Sequence, residues 1–264
     1  MSTLSQPETV KHDIQMQYDR VGRVILSAHE SGQREEALSA IVSTRQPGLY
    51  WMEHKIDTAF TLGGFRKDAR LLEIGCTAGA YTMHLAGRGY DVTGLDLSPE
   101  SIAAARAVAQ DQGLTTARFL AGDVDDMNEI PSDSFDGAFS FSTLRYLPDP
   151  VRSLKEIRRV VSPGARVVVD FPNKYCPWFE FLKFLAGGER HIHDHTYSTG
   201  QVVKMLKAAG FVNIQARRII FFAKQFPGGL VSLYKMVDRV AEHTPLLNQF
   251  AGIIMCKGEK PRSE

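Results

Sequence analysis

The sequence is poor in features that mark particular classes of protein, beginning with cysteine. It has three cysteines in 264 residues, Cys76, Cys176 and Cys256, and no C-x-x-C pair. An odd number of widely spaced cysteines argues against a disulfide framework and against a structural zinc site. The cysteine content therefore favours a reducing, cytoplasmic compartment.

Excess charge and long apolar runs are also missing. Lys and Arg number 31 and Asp and Glu number 30, which gives a net charge of +1. Non-specific nucleic-acid binding usually requires a basic surplus, so no nucleic-acid partner is expected. No apolar run approaches the roughly 18 residues of a membrane span, and residues 1–13 lack the basic and apolar parts of a leader. We therefore expect a protein without a membrane span, for which peripheral contact with a membrane remains open.

The apolar pattern divides the chain into two parts. Between residues 14 and 65, apolar residues recur at helical spacing, which predicts two or three helices in an N-terminal helical lid region, residues 1–65. Residues 66–264 are expected to form an α/β domain with cap insertions at about 173–197 and 222–249. Strands are predicted at 69–74, 90–95, 117–121, 135–141, 165–171, 212–222 and 250–257, with helices at 79–87, 99–112, 150–161, 198–210 and 230–242. This alternation predicts a doubly wound sheet.

One strand-to-helix turn contains two glycines and is followed by an acidic residue on the next strand. The apolar run 70–74 leads into Gly75 and Gly79 and then into a helical pattern. Such a turn lets the bare backbone approach a ligand. The next apolar run ends at Asp96, at the carboxyl end of the neighbouring strand, where an acidic side chain can bind ribose hydroxyls. The pattern therefore predicts a nucleoside cofactor site.

Four segments of this region resemble the motifs of the class I S-adenosylmethionine-dependent methyltransferases, within the small-molecule group that includes the ubiquinone and menaquinone methyltransferases. The segments are 73–79, 92–98, 121–124 and 135–141, the last followed by 144–147, and residues 162–164 complete the pattern. The resemblance covers roughly residues 69–210. It implies a Rossmann-like fold with a seven-stranded, mostly parallel sheet, and S-adenosyl-L-methionine as cofactor.

The resemblance also implies which residues hold the cofactor. Asp96 would bind the ribose hydroxyls, Asp123 would accept from the adenine amino group, and Leu97 and Val124 would lie near the adenine ring. The full implied set is Glu73, Gly75, Cys76, Thr77, Gly79, Asp96, Leu97, Gly122, Asp123, Val124 and Ser140. Where the family commonly has another glycine this chain has Thr77, whose hydroxyl can hydrogen-bond a carboxylate.

Candidates on the acceptor side come from two places in the chain. His191, His193 and His195 alternate after a glycine pair, and an imidazole titrates near neutrality, so one of them is a candidate general base. The same alternation can place three ligands on one face of a strand, but the loop-like context favours no metal. The other candidates are Tyr146, as a catalytic or substrate-contacting residue, and Arg145 and Trp178, as substrate contacts.

Together these patterns predict a methyltransferase that acts on a small, partly apolar acceptor. They do not distinguish O-, N-, C- and S-methylation, and they do not indicate an oligomeric state. A sulfonium methyl group is already activated, so the protein has mainly to align the acceptor and exclude water. Two alternatives remain. An NAD-dependent oxidoreductase should carry G-x-G-x-x-G, whereas residues 75–80 read Gly-Cys-Thr-Ala-Gly-Ala. A non-catalytic S-adenosylmethionine-binding protein would keep the motifs without a competent acceptor pocket.

Overall fold

The computed structural model describes residues 6–41, 46–177, 195–222 and 228–262. Within these ranges the chain forms seven strands and eight α-helices. The strands are β1 (Arg70–Ile74), β2 (Asp91–Asp96), β3 (Ala117–Ala121), β4 (Phe135–Ser140), β5 (Val161–Pro172), β6 (Val212–Ile219) and β7 (Ile253–Glu259). The helices are α1 (Gln6–Glu30), α2 (Arg34–Ile41), α3 (Gln46–Gly63), α4 (Ala80–Ala86), α5 (Pro99–Asp111), α6 (Pro150–Val160), α7 (Thr199–Ala208) and α8 (Val231–His243).

The strands form one sheet in the order β3-β2-β1-β4-β5-β7-β6. Strands β1 to β5 pair in parallel, and β7 is antiparallel to both β5 and β6. This confirms the predicted seven-stranded, mostly parallel, doubly wound sheet. The strand order reverses between β1 and β4, so the carboxyl ends of these two strands flank the crevice in which open α/β sheets bind ligands.

Helices cover both faces of the sheet. Because side chains alternate along a strand, Leu71 of β1 packs with α3 and α4, whereas Leu72 packs on the other face in the cluster that holds Leu154 of α6 and Leu206 of α7. Helix α5 lies on the same face as α3 and α4, where Ile102 packs against Phe119 of β3. The parallel strands are apolar on both faces for this reason.

Polar side chains cap the starts of three helices. Ser98 accepts a hydrogen bond from the backbone of Ser101 at the start of α5, and Asp149 accepts two at the start of α6. At α7, Ser198 and Gln201 form a capping box. Each cap satisfies backbone donors that the first helical turn leaves unpaired.

Helix α1 lies directly across the N-terminus of α5. The Asp19 carboxylate accepts a hydrogen bond from the Ser98 hydroxyl at 2.6 Å, and the Ser101 hydroxyl donates to the carbonyl of Tyr18 at 2.9 Å. Gly22 allows this approach, since a Cβ there would lie 2.3 Å from the backbone nitrogen of Ser101. A negative side chain at the positive end of α5 is also electrostatically favourable.

The last two strands differ from their predicted bounds. Strand β6 ends at Ile219 instead of 222, because Ile220 has a positive φ of 66° and its N–H bonds the Glu242 carboxylate. Strand β7 begins at Ile253 instead of 250, because residues 247–250 form a 3-10 turn. Within the described ranges, no helix has the length and hydropathy needed to cross a membrane.

Candidate functional site

A cavity opens at the carboxyl ends of β1, β2 and β3, beside the point where the strand order reverses. It is lined by Lys11, Ile14, Tyr18, Ile74, Gly75, Thr77, Leu95, Asp96, Leu97, Gly122, Asp123, Val124, Thr143, Tyr146 and Leu147. The cavity therefore brings together residues from three of the four motif segments, with the loop after β4 on one side and α1 on the other.

The glycine turn after β1 is tightly packed on its neighbours. Gly75 and Gly79 have positive φ angles of 73° and 84°, in the region that favours glycine. A Cβ on Gly75 would lie 2.1 Å from the Thr143 hydroxyl, so the absence of a side chain lets the loop after β4 rest on the turn. Thr77 also has a positive φ of 50°, which is strained for a branched residue.

Asp96 holds the strained turn in place. Its Oδ2 accepts the N–H of Thr77 at 2.8 Å, and its Oδ1 accepts the N–H of Ser98 at 3.0 Å. Burial raises the pKa of Asp96, and these backbone hydrogen bonds act against that rise. Each carboxylate oxygen has a second lone pair, and Asp96 lines the cavity, so two acceptor positions are available to neighbouring hydroxyls.

Asp123 forms an ion pair with the N-terminal helix. Lys11 Nζ lies 2.7 Å from Oδ2 of Asp123 and 2.6 Å from Oδ2 of Asp125. Burial lowers the pKa of Lys11, but the hydrogen bonds and charges of the two carboxylates outweigh this effect and raise it overall. Lys11 therefore links α1 to the loop after β3 and lies beside the acceptor that the resemblance assigns to adenine.

Four of the predicted cofactor-binding residues do not line the cavity: Glu73, Cys76, Gly79 and Ser140. Glu73 is 2% exposed and accepts the Thr82 hydroxyl at 2.5 Å, and burial raises its pKa to about 7. Ser140 donates to the carbonyl of Ile74, between β4 and β1. Cys76 is buried, and burial raises the pKa of its thiol, which leaves it protonated and unreactive.

The acceptor-side candidates are dispersed. Tyr146 lines the cavity and its ring lies 4.7 Å from the Arg145 guanidinium, whereas Arg145 is not a lining residue. His195 is exposed and does not line the cavity. His191, His193 and Trp178 lie outside the described residues.

The sequence predicts an N-terminal helical lid region but identifies none of the α1 residues that line the cavity. Lys11, Ile14 and Tyr18 line the cavity from one helix. Their spacing of three and four residues places them on one helical face. This helical spacing is visible in the sequence, but it does not indicate which element the helical face contacts.

A second titratable cluster joins α3 to α8. Glu242 accepts hydrogen bonds from His54 at 2.7 Å and from the backbone of Ile220, and Asp238 accepts the Tyr50 hydroxyl at 2.6 Å. Burial lowers the pKa of His54, but the hydrogen bond and charge of Glu242 raise it overall. Ligand atoms of His54, Asp238 and Glu242 lie within 4.8 Å of one another. Since these hydrogen bonds occupy the carboxylates, the cluster serves to join the two helices.

Comparison with known proteins gives a family match over the centre of the chain. Residues 72–169 match the family described as "Methyltransferase domain". The ubiquinone biosynthesis O-methyltransferase of Aeromonas salmonicida is 28% identical over 150 residues, which is 54% of this chain and 63% of that enzyme. An S-adenosyl-L-methionine-dependent Diels-Alderase of Talaromyces variabilis is 29% identical over 162 residues, covering 57% of this chain and 56% of the relative. The chain thus spans less than two thirds of the length of these relatives.

A solved structure shows the same fold. The crystal structure of the [4+2]-cyclase SpnF superposes with a TM-score of 0.58, at 23% identity, and the match covers 80% of this chain and 81% of that one. At this identity the likeness establishes the architecture. The chain therefore resembles proteins that are named for different activities, and the chemistry has to be argued from the site.

Proposed function

We propose that this protein binds S-adenosyl-L-methionine in the cavity and transfers its methyl group to a small, partly apolar acceptor. The match of residues 72–169 to the family described as "Methyltransferase domain", together with the similarity to a ubiquinone biosynthesis O-methyltransferase, supports this proposal. Residues 66–264 form the catalytic domain in this proposal. Residues 1–65 form a lid region over the donor. The cap insertions predicted at about 173–197 and 222–249 lie partly outside the described residues.

The observation that carries the proposal is the position of Asp96. Its carboxylate ends β2, faces the cavity, and is fixed through both oxygens by the backbone of Thr77 and Ser98. A fixed carboxylate with two remaining acceptor positions suits the paired hydroxyls of a ribose. Asp123 and Val124 line the same cavity from the loop after β3 and offer an acceptor and an apolar wall for adenine.

The chain's own residues have to bind, orient and exclude water. S-adenosylmethionine supplies an activated methyl group on a positively charged sulfur. The turn at Gly75 and Thr77 holds the amino-acid end of the donor, and Thr143 and Tyr146 form the wall on the acceptor side. With Ile14 and Tyr18, α1 closes the cavity from above and reduces access of water to the donor.

A second candidate function is binding of S-adenosylmethionine without methyl transfer. The Talaromyces variabilis relative is named an S-adenosyl-L-methionine-dependent Diels-Alderase, and its match covers 57% of this chain. In such a protein the donor site is retained while the reaction occurs in the apolar acceptor region. The donor-site argument is the same for both candidates, so they differ only in whether the methyl group leaves the cofactor.

Two measurements test the proposal. Calorimetric titration with S-adenosylmethionine, S-adenosylhomocysteine and NAD should show binding of the first two and no binding of NAD. Incubation with S-adenosylmethionine carrying a labelled methyl group and an extract of small molecules should label a product. Binding of NAD alone would refute the donor site, and binding of S-adenosylmethionine without any labelled product would favour the second candidate.

A further inference from the structure

A buried ion pair lies next to the candidate donor site, on the side of β4 and β5. Lys55 of α3 and Asp170 of β5 are each 1% exposed, and Lys55 Nζ lies 2.6 Å from Oδ2 of Asp170. Nζ also donates to the hydroxyl of Ser142 at 2.9 Å, and the N–H of Ser142 donates to Oδ1 of Asp170 at 2.5 Å. The three residues form a closed polar triangle.

This triangle is adjacent to the cavity. Ser142 belongs to the loop after β4 and precedes Thr143, which lines the cavity and packs against Gly75. Asp170 lies near the carboxyl end of β5, one residue beyond the Val169 that pairs with Ser140. The triangle therefore lies beside the glycine turn, on the side of β4 and β5.

One oxygen of the pair lacks a hydrogen bond. Oδ2 of Asp170 is buried and accepts no hydrogen bond from the described residues, although Lys55 Nζ lies 2.6 Å away in the ion pair. The ion pair offsets part of the cost of burying this charge, and a hydroxyl group placed at Oδ2 would supply the missing hydrogen bond.

Aromatic rings surround the ammonium group. Lys55 Nζ lies 5.1 Å from the centroid of the Trp51 ring, 5.2 Å from that of Phe141 and 6.0 Å from that of Tyr81. Phe141 is buried, whereas Trp51, Tyr81 and Ser142 are partly exposed, so the rim of this aromatic box reaches solvent. Flat apolar walls around one polar triangle suit a planar ring that carries a polar substituent.

We propose that Lys55, Asp170 and Ser142 form the acceptor subsite, and that the acceptor is a planar aromatic compound whose hydroxyl donates to Oδ2 of Asp170. This inference rests on the proposed methyltransferase function. Bond formation between the hydroxyl oxygen and the methyl carbon breaks the sulfur–carbon bond and leaves that electron pair on sulfur. The hydroxyl proton passes to Asp170, and Lys55 balances the carboxylate before transfer and donates to the oxygen.

The charges select this class of acceptor over two others. An aliphatic amine is protonated at neutral pH and would meet the like charge of Lys55. An aliphatic alcohol is far less acidic than a phenol, whose acidity resembles that of tyrosine, near pH 10, so Lys55 gains less from contact with its oxygen. Aniline is the nearest competitor, since it is planar and neutral, but its nitrogen is a poor acceptor for Lys55.

The test compares variants that remove the pair in different ways. Lys55→Met and Asp170→Asn each remove one charge, and the double variant Lys55→Met with Asp170→Leu replaces the pair by apolar groups, a change that proteins often tolerate. Lys67→Met is the matched control. This exposed lysine precedes the amino end of β1, whereas the pair lies near the carboxyl end of β5, and it also lies over a ring, that of Tyr90.

Two readouts are measured on the full chain. The first is methyl transfer to catechol and to aniline. The second is the absorbance of 4-nitrophenol bound together with S-adenosylhomocysteine, which reports ionisation of the phenol without turnover. We expect transfer to catechol to fall by about 100-fold or more in all pair variants. The spectral shift of 4-nitrophenol toward its anion should be lost in the same variants, with S-adenosylhomocysteine affinity unchanged.

The possible results separate this inference from the proposed function. If the double variant folds and keeps both transfer and spectral shift, or if the wild type prefers aniline, the acceptor assignment is wrong. The same holds if the wild type binds S-adenosylhomocysteine but neither methylates catechol nor shifts 4-nitrophenol. If the pair variants lose S-adenosylhomocysteine affinity to the same extent as methyl transfer to catechol, the role of the pair is structural. If the wild type binds neither S-adenosylmethionine nor its product, the proposed function itself fails.

Discussion

Replacing Gly22 by alanine tests whether α1 is held against α5 in the way that closes the cavity. An alanine Cβ would lie 2.3 Å from the backbone nitrogen of Ser101 and 2.4 Å from the carbonyl carbon of Glu100, whereas ordinary contacts begin near 3.4 Å. Backbone atoms at a helix start cannot rotate away as a side chain can. Helix α1 therefore has to move outward by about 1 Å.

Two opposing effects determine how much Gly22→Ala changes the free energy of unfolding. Alanine is favoured over glycine inside a helix by about 1 kcal/mol, and overpacking costs about 1–3 kcal/mol. We therefore expect Gly22→Ala to lower the free energy of unfolding by up to about 2 kcal/mol. The matched control is Gly200→Ala in α7, where nothing lies within 4 Å of the added Cβ. The control should leave the stability unchanged or raise it by up to about 1 kcal/mol.

The same displacement should weaken cofactor binding, because α1 carries Lys11, Ile14 and Tyr18 into the cavity. If the displaced α1 contributes about 1 kcal/mol less to the free energy of binding, the affinity for S-adenosylhomocysteine falls about fivefold. Chemical denaturation gives the stability and calorimetry gives the affinity. If Gly22→Ala is as stable as Gly200→Ala, the close contact of α1 with α5 is refuted. If it loses stability but keeps full affinity, α1 does not contribute to the donor site.

Three further predictions follow from single polar groups. Asp96→Asn should weaken S-adenosylhomocysteine binding, measured by calorimetry, by at least about tenfold. The control Asp91→Asn, at the other end of β2, should leave this affinity unchanged. Equal effects of the two substitutions would refute the assignment of Asp96 to the ribose. Glu73 has a pKa raised from 4.5 to about 7, so the folded state keeps a proton that the unfolded state releases, and wild-type stability should fall as pH rises through this interval. Glu73→Gln should remove that fall and exceed the wild type by up to about 3 kcal/mol above pH 7, and parallel pH curves in denaturation would contradict it. Tyr50→Phe leaves the buried Asp238 without its 2.6 Å hydrogen bond and should lower the free energy of unfolding by about 1–3 kcal/mol. An unchanged midpoint of chemical denaturation would show that α3 and α8 are joined by other contacts.

The sheet could be predicted because its determinants are local. A parallel strand covered on both faces reads as an apolar run, as Val167, Val168 and Val169 of β5 do. Ser98 and Asp149 mark helix starts by their own chemistry. The predicted end of β6 was wrong because a tertiary contact decides it, since Ile220 leaves β6 to bond Glu242 of α8.

The candidate site was predictable where a residue's place on the sheet fixes its position in space. Asp96 follows β2 and Asp123 follows β3, so parallel pairing brings both to one edge. Lys11 lies 112 residues from Asp123 in the chain, and a lysine on an amphipathic helix carries no local sign of its partner. The Lys55–Asp170 pair was missed for the same reason, because each residue alone looks like an ordinary member of α3 or β5.

The strand order reverses between β1 and β4, and the donor cavity and the proposed acceptor subsite come from different parts of the chain on either side of this point. Most of the donor cavity comes from β1, β2 and β3, all within residues 70–124, and the proposed acceptor subsite comes from α3, the loop after β4 and β5. The two halves meet where β1 pairs with β4 and where Thr143 rests on Gly75. Substitutions that alter acceptor choice can therefore accumulate in one half without disturbing the other, and a protein built this way can acquire new substrates while its methyl donor stays the same.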